Sequence, residues 1–212
     1  MNSASKSGTV FIVDDDVSFL RSVSRLLRAS GYTVQTFETG KALLETLTPE
    51  MSGCVVLDFQ MPELNGLELQ AALAKSASPM PVVFLSAQGD IPTTVHAMRR
   101  GAEDFLTKLS PKEQLLDAVN RALARGVQER EQRARLRDLH AKLAALSPRE
   151  REVLGHVVRG RMNKQIADEL GINLRTVKLH RTNLTRKLQV QSVAELTRLG
   201  EEAGLFAPEP AK

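Results

Sequence analysis

The feature that most constrains this chain is an apolar run that ends abruptly in a carboxylate. Residues 54–57 are apolar, Asp58 follows them directly, and Met61-Pro62 stops the segment. A short apolar run between turn signals is typical of a parallel strand that is covered on both faces. Open α/β sheets bind their ligands at the carboxyl ends of such strands. The pattern therefore predicts a functional role for Asp58, although an acid that only caps a loop would look the same in isolation.

Other apolar runs within residues 1–124 end in the same way. They are followed by Asp14 and Asp15, by Ser86, and by Lys108, and segments with helical spacing of apolar residues separate them. A strand–helix unit repeated five times implies a parallel sheet with helices on both faces and right-handed crossovers. We therefore expect a doubly wound α/β domain in which one edge of the sheet gathers these polar residues with Asp58.

The gathered edge would carry three carboxylates, those of Asp14, Asp15 and Asp58. They would repel one another unless cations lie among them. Oxygen ligands in a partly open site favour Mg²⁺ over Zn²⁺, for which histidine and cysteine ligands would be expected. The sequence thus predicts a Mg²⁺ site beside Lys108, with Mn²⁺ as a possible substitute.

These residues resemble the receiver domain of two-component response regulators. The resemblance covers residues 8–124 and implies a flavodoxin-like fold, a five-stranded parallel sheet of order 2-1-3-4-5. It rests on a set of motifs that are specific only in combination: Asp14-Asp15, Asp58 followed by Met61-Pro62 and Gly66, Ser86-Ala87, and Lys108.

The resemblance also implies what each residue does. Asp58 would accept a phosphoryl group from a sensor histidine kinase. Lys108 and Ser86 would bind the phosphoryl oxygens. Mg²⁺ would be held by the two acids after the first strand, by Asp58, and by the backbone carbonyl of Gln60.

Phe105 matches the family's aromatic switch residue, whose ring turns inward when Ser86 moves toward the phosphoryl group. A phenylalanine that only fills the core would have the same sequence. With the switch in place, phosphorylation would remodel the surface of the fourth helix, fifth strand and fifth helix, and create a homodimer interface.

One position departs from the family pattern. The residue after the lysine is usually a proline in a cis bond, and here it is Leu109. A cis bond before a residue other than proline costs about 3 kcal/mol. We therefore expect the loop after Lys108 to be either strained or rearranged.

Residues 125–146 form a charged segment with a helical pattern. Its leucines fall three and four residues apart, which makes a narrow apolar seam: Leu136, Leu139, Leu143 and Leu146. We predict a linker helix that continues the fifth helix and either packs on another element or pairs with a copy of itself.

Residues 147–207 predict a small basic module of four helices. Ser147-Pro148 and Glu150 form a capping box at the first helix, and Gly171 makes a tight turn between the second and third. Residues 143–212 hold 12 Lys and Arg against 8 Asp and Glu, whereas residues 1–124 hold 11 against 14. This asymmetry indicates an acidic module joined to one that faces nucleic acid, although a mildly basic surface would give the same balance.

The third helix of this module, Leu174 to Leu188, has one face suited to the DNA major groove. At roughly 100° per residue, this face gathers long cations, an amide, an apolar tip and a methyl group. The cations suit guanine or phosphate, the amide suits adenine, and the apolar tip and the methyl group suit thymine. An ordinary solvated face is the alternative, and it explains an exposed leucine least well. The residues of the face are Arg175, Lys178, Leu179, Thr182, Asn183 and Arg186.

The module resembles the four-helix LuxR-type DNA-binding domain. The matching stretches are residues 147–150, 163–167 and 176–180. A receiver joined to this domain defines the NarL/FixJ class of transcriptional regulators; the pattern is closest to the FixJ branch and also resembles regulators of aromatic-hydrocarbon breakdown. The resemblance implies base contacts from Lys178, Leu179 and Thr182, and phosphate contacts from Lys164, Arg175 and Thr176.

The resulting prediction is a cytoplasmic transcriptional activator that works with a sensor histidine kinase, promoter DNA and RNA polymerase. Its single cysteine, Cys54, allows no disulfide within one chain, and no apolar stretch is long enough to span a membrane. A regulator with a degenerate, phosphorylation-independent receiver is the alternative that Leu109 suggests. An aspartyl-phosphate hydrolase is a further alternative, but it would need a second acid two residues after the nucleophile, where Gln60 lies.

Overall fold

The structure, a computed structural model, describes residues 8–76, 78–87 and 91–203. The chain divides into two compact units, Met1–Arg130 and Glu131–Lys212. The last residues of the predicted third segment, 204–207, lie outside the described residues. The predicted limits at 8–124, 125–146 and 147–207 remain a prediction. Among the described helices, none combines the length and hydropathy of a membrane span.

The first unit is built on a five-stranded parallel sheet of order β2-β1-β3-β4-β5. This result confirms the predicted fold class and strand order. The strands are Thr9–Val13 (β1), Thr33–Phe37 (β2), Gly53–Asp58 (β3), Val82–Ser86 (β4) and Asp104–Thr107 (β5). The helices that alternate with them are Val17–Ala29 (α1), Gly40–Thr46 (α2), Gly66–Lys75 (α3), Ile91–Arg99 (α4) and Lys112–Ala144 (α5).

The central strands are apolar throughout because the sheet is covered on both faces. Along β3, Cys54 and Val56 enter one core cluster, while Val55 and Leu57 enter the other. Successive side chains of a strand point to opposite faces, so each face of this strand needs its own apolar residues. Asp58 is therefore the first polar side chain of β3, at its carboxyl end.

A glycine lets α3 begin against the end of β3. The Gly66 N–H donates to the carbonyl of Phe59, at 3.1 Å. A Cβ atom at Gly66 would lie 2.7 Å from the carbonyl oxygen of Asp58 and 2.8 Å from the ring of Phe84. Asn65 caps the helix and forms a reciprocal capping box with Glu68. The close approach of α3 thus supports the backbone of Asp58.

The second unit contains four helices after the end of α5. They are Pro148–Val158 (α6), Asn163–Leu170 (α7), Leu174–Leu188 (α8) and Val193–Glu202 (α9). Gly171 ends α7 in the left-handed conformation, with φ of 62°, and makes the tight turn expected of a helix-turn-helix. The helical DNA-binding fold predicted for this part of the chain is confirmed.

The apolar seam of residues 136–146, at and just after the end of α5, belongs to the core of this second unit. Leu139, Leu143 and Leu146 are buried together with Val153 and Leu184, while Leu136 is half-buried. The helix runs without a break from Lys112 to Ala144, as predicted for a linker that continues the fifth helix. Of the two predicted uses of the seam, the structure has it packed on another element of the same chain.

A buried ion pair joins the start of α6 to α8. Glu150 is only 4% exposed, and its carboxylate lies 2.7 Å from the ammonium of Lys187 and accepts the Ser147 N–H at 2.8 Å. The lysine and this backbone donor lower the pKa of Glu150 below its ordinary value. The capping box predicted from the sequence therefore also orients the first and third helices of the unit.

The contacts of Gly66 predict a specific loss of stability. Gly66→Ala should destabilise the first unit by about 1–3 kcal/mol, because the added methyl group meets backbone atoms that cannot move away cheaply. Gly40→Ala is the matched control, since its methyl group would meet only the ends of the Leu69 and Leu64 side chains. Tyr32, the single tyrosine in a chain without tryptophan, is buried in this unit and reports its unfolding in urea. Equal losses for the two variants would contradict the prediction.

Candidate functional site

The polar residues predicted to gather at one edge of the sheet do gather there. The Lys108 ammonium, in the loop after β5, lies 2.7 Å from a carboxylate oxygen of Asp14 and 3.0 Å from one of Asp58. Ser86 ends β4 at the same edge, is fully buried, and its carbonyl accepts the Lys108 N–H at 2.8 Å. The carboxyl ends of four strands thus contribute to one cluster.

The three acids lie close enough to share a cation. One oxygen from each of Asp14, Asp15 and Asp58 lies within 4.8 Å of the others. Asp14 and Asp58 are buried, with 1% and 6% exposure, whereas Asp15 is exposed. An all-oxygen set with one exposed member fits a hard divalent ion such as Mg²⁺ that keeps part of its water shell.

The charges of the cluster do not balance within the protein. Burial raises the pKa of Asp14 above its ordinary value, although hydrogen bonds from Lys108 and the Asp16 N–H act in the opposite direction. One ammonium faces three carboxylates. A divalent cation would offset the remaining negative charge, so the donor set fits the ion that the sequence predicts.

Lys108 has anchors besides the two carboxylates. Burial works against its charged form, but hydrogen bonds to Asp14 and Asp58 outweigh that effect and raise its pKa. Its ammonium also lies 4.5 Å from the centre of the Phe19 ring, within the range of a cation–π interaction. This contact was not predicted, because it depends on how α1 packs over the loops.

The loop after Lys108 adopts the rearranged alternative. No cis peptide bond or positive φ occurs at Lys108 or Leu109, and the Leu109 side chain is 91% exposed. Ser110 holds the loop instead, because its hydroxyl accepts the Thr107 N–H at 3.2 Å. The lysine therefore reaches the acids through a trans bond.

The two oxygens of Asp58 have different partners. Oδ2 accepts from Lys108, and Oδ1 accepts the Gln60 N–H at 3.3 Å. The Gln60 side chain is exposed, and a metal contact from its carbonyl remains a prediction. Asp58 is thus held at the edge of the sheet with both oxygens directed by neighbouring donors.

Phe105 is half-buried and packs in an aromatic group. Its ring centre lies 5.7 Å from that of Phe84 and 5.8 Å from that of Phe59, which directly follows Asp58. Phe59 was not predicted as part of the site, although its position directly after Asp58 was a signal. These contacts suit both the predicted switch and a core residue, so the switch remains a prediction.

Helix α8 has the two faces predicted for it. Val177, Leu184 and Leu188 are buried, and most residues of the opposite face are exposed: Arg175, Lys178, Leu179, Thr182 and Arg186. Asn183 is half-buried at the margin of this face, where it accepts from Arg186 at 3.4 Å. Lys164 on α7 is exposed and Thr176 is half-buried.

The packing of α7 on α8 keeps that face open. The Arg181 guanidinium, on the inner side of α8, donates to the Asn163 side chain at 2.6 Å. Leu179 stays 57% exposed on a helix whose core face is complete. The exposed face therefore combines cations with one apolar side chain, a set of groups that can contact base edges in the major groove.

Comparison with known families matches both units. Residues 10–120 match the response regulator receiver domain, and residues 144–199 match the bacterial regulatory proteins of the luxR family. The chain belongs to the two-component response regulators that carry a LuxR-type DNA-binding domain. This family consists of transcription factors, so the hydrolase alternative is set aside.

Individual relatives span nearly the whole chain. Nodulation protein W of Bradyrhizobium diazoefficiens is 40% identical over 96% of this chain and 90% of its own length. The transcriptional regulatory protein FixJ of the same organism is 36% identical over 94% of this chain and 97% of its own length. A solved structure of the response regulator StyR superimposes with a TM-score of 0.81 and 45% identity, over 93% of this chain and all of that one. The predicted relation to the FixJ branch is confirmed, and the three clustered acids are typical of the Mg²⁺ pocket of receiver domains.

Magnesium binding predicts a difference between two neighbouring acids. Saturating Mg²⁺ should stabilise the first unit by roughly 2–3 kcal/mol at a hundredfold excess over Kd. Asp15→Asn should lose most of this gain, because it removes one of the three clustered carboxylates. Asp16→Asn should keep it, because Asp16 caps α1 through the Ser18 and Phe19 N–H groups and asparagine caps equally well. Urea unfolding with and without Mg²⁺ measures the gain, and an equal gain in both variants would contradict the site.

Proposed function

We propose that this response regulator accepts a phosphoryl group on Asp58 from a phosphohistidine of its sensor kinase, and that phosphorylation promotes dimerisation and promoter binding. The observation that carries the proposal is the Lys108 ammonium within 3.0 Å of both Asp14 and Asp58 at the carboxyl edge of the sheet. A buried carboxylate beside a fixed cation suits a nucleophile whose product is more negative than the reactant.

The transfer is a displacement at phosphorus. A carboxylate oxygen of Asp58 forms the new P–O bond while the P–N bond to the kinase histidine breaks, and the imidazole leaves with the electron pair and takes up a proton. Lys108 moves from the carboxylate to a phosphoryl oxygen, and the Ser86 hydroxyl donates to another. Asp14, Asp15, Asp58 and the Gln60 carbonyl would hold Mg²⁺ or Mn²⁺. When bound, the ion supplies positive charge that offsets the dispersed negative charge.

The switch is proposed to pass through β4 and β5. Ser86 pairs with Thr107 in the sheet, and its carbonyl accepts the Lys108 N–H. A movement of Ser86 toward the phosphoryl group would therefore shift β5, the strand from which Phe105 packs against Phe59 and Phe84. The fully buried position of Ser86 makes a local adjustment costly unless its neighbours move as well.

A dimer interface is proposed on α4, β5 and α5. Three apolar side chains of α4 recur at helical spacing and are exposed, Ile91 at 80% and Val95 and Met98 at 42% each. Exposed apolar residues that share one face support an interface. The homodimer would present two copies of α8 to the two half-sites of a promoter.

The DNA-binding unit is proposed to place α8 in the major groove. Lys178, Leu179 and Thr182 would contact bases, with Asn183 and Arg186 beside them on the same face. Lys164, Arg175 and Thr176 would contact phosphates. Bound in this way upstream of a gene, the dimer would recruit RNA polymerase and act as an activator.

The proposed role of Asp58 as phosphoacceptor can be tested by direct phosphorylation. Incubation with acetyl phosphate and Mg²⁺ should add one phosphoryl group to the wild-type protein and none to Asp58→Asn, because the amide is not a nucleophile for this reaction. Intact-protein mass spectrometry measures the adduct, and Asp104→Asn serves as a control acid at the start of β5, away from the clustered edge. Labelling of Asp58→Asn at the wild-type level would contradict the proposal.

Base contacts and phosphate contacts predict different effects of substitution on DNA affinity. Lys178→Ala should cost about 1–3 kcal/mol on the preferred sequence and relax the preference at one base position. Lys164→Ala should weaken binding by a similar factor on every sequence and reduce its salt dependence. Fluorescence anisotropy on a library of single-base operator variants distinguishes the two. A loss independent of sequence for Lys178→Ala would refute its assignment.

A further inference from the structure

The helical unit contains a cavity that DNA binding does not use. Its volume is about 390 Å³, and it lies between the end of α5 and α6. This size is within the range of small-molecule sites, roughly 300–1,000 Å³. The lining residues are His140, Leu143, Ala144, Arg151, Leu154, Gly155 and Arg159.

The lining has an apolar part and a basic part, and none of its residues is acidic. Leu143 and Leu154 are buried and form part of the core. The Arg151 guanidinium donates to the Ala144 carbonyl at 3.2 Å, which holds it beside the cavity. Neither Arg151 nor Arg159 forms an ion pair with any described residue, whereas Arg149 on the same helix pairs with Glu152 at 2.6 Å. Within the part of the chain that the structure describes, these two arginines thus have no anionic partner.

Gly155 is a second, independent sign that this space is kept open. It lies inside α6, where glycine costs about 1 kcal/mol relative to alanine. Beyond its chain neighbours and the backbone of its own helix, a Cβ atom there would meet no atom within 4 Å. In contrast, a Cβ atom at Gly66 or Gly126 would meet backbone atoms closer than 3 Å. Packing therefore gives no reason for a glycine at position 155, but a larger side chain would fill the cavity.

We propose that this cavity binds a small amphipathic organic anion, a carboxylate with an apolar body the size of a short acyl chain or a single ring. The apolar body would replace water against Leu143, Leu154 and the open side of Gly155. The carboxylate would accept charge-assisted hydrogen bonds from Arg151 and Arg159, whose planar groups suit two-point contact. Binding is independent of Asp58.

An occupant would lie one packing layer from the DNA-binding helix. Leu143 and Leu154 share a core with Val177, Leu184 and Leu188 of α8. Ligand binding to the folded unit would therefore stabilise the packing that supports α8, by mass action on the folded state. The site gives this unit a chemical input separate from the receiver.

The test uses the full-length protein and anilinonaphthalene sulfonate, an apolar anionic dye, as the probe. A fluorescence titration should show one saturable site, and octanoate should displace the dye. Octan-1-ol, which has the same chain and no charge, should compete at least about tenfold more weakly. Equal competition by the alcohol and the carboxylate would overturn the proposal, because the arginines would then play no part.

Three variants locate the site. Gly155→Leu should abolish the competition by filling the cavity, and Arg159→Gln should weaken octanoate about tenfold while leaving octanol unchanged. Arg149→Gln is the control, an arginine of the same helix outside the cavity. The thermal unfolding temperature of Gly155→Leu should be no lower than that of the wild type, since leucine favours helices and its Cβ would cause no clash there. Wild-type dye and octanoate binding in both Gly155→Leu and Arg159→Gln would place the dye elsewhere and overturn the proposal.

Discussion

The ammonium of Lys108 is the contact on which the functional edge of this protein depends. It bonds both buried carboxylates, Asp14 after β1 and Asp58 at the end of β3, across loops far apart in sequence. Without it, burial would leave two like charges facing each other with no counter-charge from the protein. Addition of a phosphoryl group to Asp58 would give the lysine a new anionic partner. In the proposed reaction, Lys108 therefore exchanges its contact with the Asp58 carboxylate for a contact with a phosphoryl oxygen.

The close packing around Asp58 would transmit such an exchange to neighbouring elements of the fold. Two cores cover the two faces of the sheet, and Gly66 allows α3 to approach the backbone of Asp58 to within contact distance. The rings of Phe59, Phe84 and Phe105 pack against one another, and Phe59 directly follows Asp58. Because this interior has little free volume, a shift at Ser86 or Phe105 would displace neighbouring elements. Exposed apolar residues on α4 are where that displacement would reach the surface.

Much of this arrangement could be predicted from the sequence, for identifiable physical reasons. Continuous apolar runs gave the buried strands, and parallel topology then required Asp14, Asp58 and Lys108 to meet at one edge. The contact of Lys108 with Phe19 could not be derived in the same way, because it depends on how α1 packs over the loops. The trans bond at Leu109 was one of two open alternatives, and local sequence did not choose between them. The cavity beside Gly155 could not be predicted from the sequence either, since an isolated glycine in a helical pattern does not indicate how much space surrounds it.

The central claim is that the charge state of Asp58 controls DNA binding, and one measurement tests it directly. Promoter affinity is measured for the wild-type protein and for Asp58→Asn, each with and without beryllofluoride and Mg²⁺, at constant salt. The account predicts that beryllofluoride tightens wild-type binding by about tenfold or more, within the usual 1–3 kcal/mol of allosteric coupling, and leaves the variant weak. Binding by Asp58→Asn as tight as that of the activated wild type would contradict it, and would indicate a regulator that binds DNA without phosphorylation.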